Sequence, residues 1–214
     1  KAREKVRHKF DKLNNCNMVM SLSQQDPFNF SLVGMGGNDI VDGNQKFLST
    51  LLWQLMRYNA VKQISELSFG GKPVTDGDIL QWANLTIQRF EDRQSKPISN
   101  FKDRKLTTCI FYIELLAACR PQDVDASLIN YDVKPLVNNR VDDKSRKERI
   151  DNARLAMSYC RKFGQELFVL PEHLTGMDAK AVLSMFAAIM TVGMTDNAYT
   201  GGGDKRVNDA MMGY

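Results

Sequence analysis

One segment, Leu106–Cys119, constrains the fold of this chain more than any other. The spacing of its apolar residues predicts a helix that is hydrophobic on nearly every side, through Ile110, Phe111, Ile113, Leu115 and Leu116. A helix of this kind must be enclosed by other elements. Apolar and polar residues do not alternate convincingly at period two anywhere in the chain, so the enclosing elements are also predicted to be helices. The predicted fold class is therefore all-α.

Apolar residues spaced three and four apart predict the enclosing helices. They cover about residues 10–25, 45–67, 76–93, 143–163 and 178–192. A loop rich in Gly, Asn and Asp separates the first two. The tail after Gly193 is again rich in Gly, Asp and Asn, which favours an extended or mobile segment.

An internal repeat is visible in the order of these elements. Leu13–Cys16 aligns with Ile150–Ala153, and Leu51-Leu52 aligns with Met185-Phe186. Each copy reads as helix, loop, short turn and helix, which predicts two copies of one domain. Two further helices precede the second copy, so the repeat predicts one complete domain and the C-terminal half of another.

Composition excludes several classes of protein. The first twelve residues carry the whole net charge of +4, so the body is neutral and nucleic-acid binding is not expected. The longest apolar runs fall short of the roughly 18–20 residues of a membrane span. The four cysteines are widely spaced and read as buried free thiols in a reducing compartment, so neither a zinc site nor another metal site is predicted.

Motifs that resemble catalytic or cofactor sites fail on their spacing. Residues 34–37 are glycine-rich but lack the Lys-Ser/Thr of a phosphate loop, so they predict a turn. Residues 123–125 begin like a calcium loop and lack its later ligands. His173 has no nucleophile in its pattern. We therefore predict neither an enzyme nor a cofactor.

Several motifs together resemble the calponin-homology domain. They are Trp82 on a first helix, the buried segment 107–121, Ile129–Asp132, Asn152–Gly164, Leu170–Glu172 and Ala179–Met190. Phe30–Tyr58 is more specific, since it resembles the junction between the last two such domains of the fimbrin/plastin family. The resemblance implies that residues 1–67 are the C-terminal half of the third domain and 74–195 the complete fourth. Residues 68–73 would then be a linker and 196–214 a flexible tail.

The same resemblance implies a function. Fimbrins and plastins are cytoplasmic proteins of the cytoskeleton that cross-link, or bundle, actin filaments. This chain would supply part of the C-terminal actin-binding module, with filamentous actin as partner and without nucleic acid or membrane. Any calcium regulation would lie outside this chain. The alternative is a scaffold that binds another cytoskeletal partner or a microtubule-associated assembly, because fold does not fix the partner.

In paired domains of this family, actin contact is built partly from the helices that correspond to Gln45–Lys62 and Asp78–Glu91. Since the apolar faces of these helices must pack inward, the expected contact residues are the outward ones. They are Lys46, Thr50, Gln54, Arg57, Tyr58 and Lys62 on the first, and Gln81, Asn84, Gln88 and Arg89 on the second. Actin is acidic, so Lys46, Arg57, Lys62 and Arg89 are favoured by charge.

Overall fold

Helices account for all the regular secondary structure in the described part of the chain. The computed structural model describes residues 6–68, 74–136 and 143–200, apart from the side chains of 68, 143 and 196–200. These residues form eight α-helices: α1 Lys9–Ser23, α2 Gly37–Val41, α3 Gln45–Ser68, α4 Asp76–Thr86, α5 Ile110–Cys119, α6 Asp143–Lys162, α7 Pro171–Thr175 and α8 Ala179–Thr200. Short 3-10 helices cover Ile87–Arg89, Arg104–Thr108 and Ala126–Leu128. The all-α prediction is confirmed.

The chain divides into two compact units between Asn59 and Ala60. The predicted linker 68–73 lies outside the described residues except for residue 68. The predicted tail 196–214 is described only as far as Thr200, where α8 ends. Within the described ranges, no helix is long and apolar enough to cross a membrane.

Helix α5 forms the centre of the second unit. Seven of its residues, from Phe111 to Ala117, are buried, and it packs against α4, α6 and α8. Phe186 of α8 is fully buried and contacts the rings of Phe101, Phe111 and Tyr112 at centroid distances of 5.0, 6.0 and 5.2 Å. The prediction that the most apolar helix is enclosed by the others is confirmed.

Asn152 joins α6 to the segments beside it. Its Oδ1 accepts a hydrogen bond from the Asn130 backbone N–H at 2.9 Å. Its Nδ2 donates to the carbonyl oxygens of Thr108 and Asn130, both at 3.0 Å. Because Asn152 is fully buried, these bonds satisfy backbone groups that water does not reach.

Helix α4 begins and ends by different means. At its start, the Asp78 N–H donates to Thr75 Oγ1 and the Thr75 N–H donates to Asp78 Oδ2, which is a reciprocal capping box. The predicted helix 76–93 is too long, because α4 ends at Thr86 and continues as a 3-10 helix only to Arg89. Beyond it, the backbone bonds the side chains of Asn84, from α4 itself, and Glu114, from α5.

The start of α5 and the end of α8 also differ from prediction. Cys109 takes a left-handed conformation, φ 58°, which separates the 3-10 helix 104–108 from α5. Helix α8 continues past Gly193 to Thr200, contrary to the prediction of an extended or mobile tail after that glycine. Gly193 is buried within α8 beside Trp82 and Cys119, and such packing outweighs the low helix propensity of glycine.

Gly193 also marks a close approach of α8 to α4 and α5. A Cβ atom at this position would lie 2.8 Å from both Cys119 Sγ and Trp82 Cζ2. We expect Gly193→Ala to lower the free energy of unfolding of the second unit by about 2 kcal/mol, since overpacked cores are strained. Gly77→Ala is the matched control: it is also helical, but exposed and with 3.5 Å to its nearest atom, so it should be neutral or stabilising. Equal losses for the two variants in urea unfolding would contradict this packing.

The first unit has a smaller core. Buried Met20, Phe30, Leu32 and Leu51 form its centre, with Phe28, Met35, Ile40 and Tyr58 packed around it. Helix α1 packs against α2 at Gly37, where a Cβ would lie 2.9 Å from the Asn17 backbone nitrogen.

Large apolar side chains remain exposed in this unit. They include Phe10, Val19, Leu22, Leu52, Leu55 and Met56. Leu52 is 57% exposed, although its repeat counterpart Phe186 is 0% exposed. Among the described residues of the first unit, no helix takes the place that α5 has in the second.

Candidate binding surfaces

Three of the predicted contact residues on α3 are exposed cations. Lys46 lies near the start of α3, with its Nζ 6.0 Å from the centroid of the Phe47 ring. Arg57 is exposed in the same unit. Lys62 lies beyond the division between the units and forms a long ion pair, 3.7 Å, with Glu66 one helical turn later. Such exposed pairs leave the charge largely available for other contacts.

The other three α3 candidates serve the structure of the chain itself. The side-chain amide of Gln54 forms two hydrogen bonds with the backbone of Ser31. Its Oε1 accepts from the Ser31 N–H at 3.0 Å, and its Nε2 donates to the Ser31 carbonyl at 2.9 Å. Thr50 Oγ1 donates to the Lys46 carbonyl at 2.9 Å. Tyr58 does not face outward as expected. Its ring packs against the apolar cluster of the first unit, with its centroid 5.0 Å from that of Phe28 and 6.2 Å from that of Phe30.

The α4 candidates divide in a similar way. Gln81, Gln88 and Arg89 are exposed. The Asn84 side chain is instead hydrogen-bonded to the backbone of Ile98. Its Nδ2 donates to the Ile98 carbonyl at 2.8 Å, and its Oδ1 accepts from the Ile98 N–H at 2.9 Å. The expectation of an outward Asn84 is therefore corrected, because both polar atoms of its amide hold the backbone.

The stretch 90–98, which we call the arm, is a surface that the sequence did not predict. It follows the 3-10 helix and has no regular secondary structure. Its charged residues Glu91, Asp92, Arg93 and Lys96 are all exposed. The available signal was the loss of apolar periodicity after Phe90, since residues 91–97 contain no apolar residue except Pro97.

The arm is nevertheless tied to the second unit at several points. The Glu114 carboxylate accepts from the Gln94 N–H at 2.7 Å and the Ser95 N–H at 2.9 Å. Arg93 Nη1 donates to the carbonyl oxygens of Gln88 and Phe90, each at 3.1 Å. Lys105 Nζ donates to the Pro97 carbonyl at 3.2 Å. With the Asn84–Ile98 pair, these contacts fix both ends and the middle of the arm.

The buried thiols show no nucleophilic character. Burial raises the pKa of the Cys109 thiol far above its ordinary value, and burial followed by the neighbouring Cys119 raises the pKa of Cys160 to about 12. A protonated, buried thiol is inert. The part of the chain that the structure describes contains no group of three His, Cys, Asp or Glu residues placed to hold a metal.

Comparison with known proteins identifies the family. The model of the calponin homology (CH) domain matches residues 1–61 and 73–195. The chain belongs to the calponin homology family. The calponin-homology resemblance of the sequence is thus confirmed, and the two matched segments fall on the two copies of the repeat.

Named relatives of this calponin-homology chain are fimbrins and plastins. Fimbrin-2 of Arabidopsis thaliana is 38% identical over 85% of the chain, and human Plastin-3 is 37% identical over 86%. The solved actin-crosslinking core of Schizosaccharomyces pombe fimbrin matches 89% of the chain with a TM-score of 0.68 and 28% identity. The chain spans 26% and 27% of the length of the two relatives and 37% of the solved core.

Proposed function

We propose that this chain binds actin filaments as part of a fimbrin/plastin-like cross-linking protein, and that it supplies part of the C-terminal actin-binding module. The observation that carries the proposal is the match of both units to the actin-crosslinking core of S. pombe fimbrin. The action is non-enzymatic, and the location is the cytoplasmic cytoskeleton. Calcium control, if present, belongs to segments outside this chain.

In this proposal the chain holds two unequal parts of one module. Residues 1–67 are the C-terminal half of a third calponin-homology domain, 68–73 a linker and 74–195 a complete fourth domain. Two observations support this division. The first family match, residues 1–61, is about half as long as the second, residues 73–195, and the first unit leaves Leu52 exposed where the second buries Phe186.

The proposed filament contacts are the exposed members of the predicted set. They are Lys46, Arg57 and Lys62 on α3, with Gln81, Gln88 and Arg89 on and after α4. Actin presents an acidic surface, so the four cations supply the complementary charge. Thr50, Gln54, Tyr58 and Asn84 contribute by holding these surfaces in shape.

Charge reversal tests this assignment. We expect Arg57→Glu combined with Lys62→Glu to weaken co-sedimentation with filamentous actin about tenfold, because two attractive contacts become repulsive. The matched control, Arg146→Glu with Lys147→Glu, makes the same change of charge at exposed positions of α6. If the control weakens binding as much as the α3 variant, only net charge matters and the contact assignment is wrong.

The alternative is a scaffold for another cytoskeletal partner or a microtubule-associated assembly. It predicts a different outcome of the same experiment. Actin affinity would then be unchanged in the α3 variant while binding to the other partner, for example polymerised tubulin, would be lost.

A further inference from the structure

The arm 90–98 combines exposed charge with a fixed backbone. It exposes four charged side chains, and its backbone is held by hydrogen bonds from side chains on other elements. Surface loops without secondary structure are usually the mobile parts of a domain. A loop whose backbone is fixed while its charges face solvent is prepared for recognition, because less conformational entropy is lost on binding.

Glu114 is the central support of the arm. It lies on α5, the most enclosed helix, and is fully buried. Each carboxylate oxygen accepts one arm N–H, from Gln94 at 2.7 Å and from Ser95 at 2.9 Å. A buried carboxylate is costly unless its oxygens are bonded, and hydrogen bonds to a charged acceptor are stronger than those between neutral groups. The arm and α5 therefore stabilise each other.

Tyr131 completes this support from a third segment. Tyr131 is half-buried, and Glu114 and Asp92 lie close enough to affect its hydroxyl. Burial first, then the charge and hydrogen bond of Glu114, and last the charge of Asp92, raise the pKa of Tyr131 to about 12. The Tyr131 hydroxyl thus stays protonated across the physiological pH range and places no second negative charge beside Glu114.

We propose that the arm is a preorganised part of the filament-contacting surface and that Glu114 is its positioning residue. The inference rests on the proposed function. The arm directly continues the chain from Gln88 and Arg89, which are already proposed contacts, so its charges extend the same surface. Arg93 reaches back to the Gln88 carbonyl, which links the geometry of the arm to that of these contacts.

The test begins with Glu114→Gln in the full chain. Glutamine keeps the size of the side chain but removes the charge, and its amide nitrogen no longer accepts an arm N–H. We expect faster hydrogen exchange at the Gln94 and Ser95 amides and about fivefold weaker co-sedimentation with filamentous actin, since the binding-competent arm is less populated. Leu174→Val is the matched control, because it loses buried volume in α7, which packs against α6, α8 and the 3-10 helix 104–108, while the Glu114 carboxylate and its two arm N–H partners stay as they are. It should leave both readouts unchanged.

A double substitution separates positioning from general stability. Lys96→Glu reverses an exposed charge on the arm and should weaken binding about fivefold by itself. Adding Glu114→Gln to Lys96→Glu should then reduce actin affinity by a smaller factor than Glu114→Gln does in the wild-type chain, because the arm already contributes little to binding. Full additivity of the two losses of actin affinity, or equal losses for Glu114→Gln and Leu174→Val, would overturn the inference.

If the wild-type chain does not bind filaments, the proposed function fails and the inference fails with it. If the wild type binds and Glu114→Gln binds equally well, only the inference fails.

Discussion

Replacing Phe186 with alanine is expected to lower the free energy of unfolding of the second unit by about 3–5 kcal/mol. Phe186 is fully buried and meets three aromatic rings, those of Phe101, Phe111 and Tyr112. Truncation removes these contacts and leaves a cavity in a core that relaxes only in part. Urea unfolding followed by Trp82 fluorescence in a Trp53→Phe background measures this unit by itself.

The control for this prediction is the repeat counterpart, Leu52. Because that side chain is 57% exposed, we expect Leu52→Ala to change the stability of the first unit by less than about 1 kcal/mol. A cost for Leu52→Ala close to that for Phe186→Ala would contradict the difference in burial between the two units. It would also remove one of the two supports for the half-domain assignment.

Asn152→Ala should produce the second large effect, a loss of about 3 kcal/mol. The substitution deletes three hydrogen bonds and leaves the Asn130 N–H and the carbonyl oxygens of Thr108 and Asn130 without these partners in the interior. The cost of such a change is mainly the desolvation of the groups left behind. Thermal or urea unfolding of the full chain, again read at Trp82, gives the value.

Ser158→Ala is the matched control for Asn152→Ala. Ser158 is a polar residue of the same helix but exposed, so alanine should be neutral or slightly stabilising through its higher helix propensity. If Asn152→Ala were as mild as Ser158→Ala, the amide of Asn152 would not hold the segments beside α6.

Helical spacing of apolar residues predicted most of this fold, because the residues that recur at that spacing are the ones that pack in the core. Ala153, Met157 and Cys160 recur on one side of α6 and are buried in the core. Arg154, Ser158 and Arg161, between them in the sequence, are exposed. Helix ends were less predictable. The end of α4 depends on Glu114 and Asn84, which bind the arm from α5 and from within α4, and no local pattern near Thr86 contains that information.

The surfaces were predictable only in part for the same reason. Lys46, Arg57, Lys62 and Arg89 are charged and exposed, as their positions on the helices suggested. Tyr58 and Asn84 are amphipathic or small polar side chains, which suit either a surface or an internal contact. In both cases, residues distant in the sequence decided the outcome: Phe28 and Phe30 for Tyr58, and Ile98 for Asn84.

We propose that this chain binds actin filaments as one part of a cross-linking protein. Cross-linking needs two binding modules on one molecule, whereas binding needs one. The most direct measurement is co-sedimentation of the wild-type chain with filamentous actin at high and at low centrifugal force. We predict that the chain pellets with single filaments at high force and does not bring filaments down as bundles at low force. Absence of the chain from the high-force pellet, or strong bundling by the chain alone, would contradict this account.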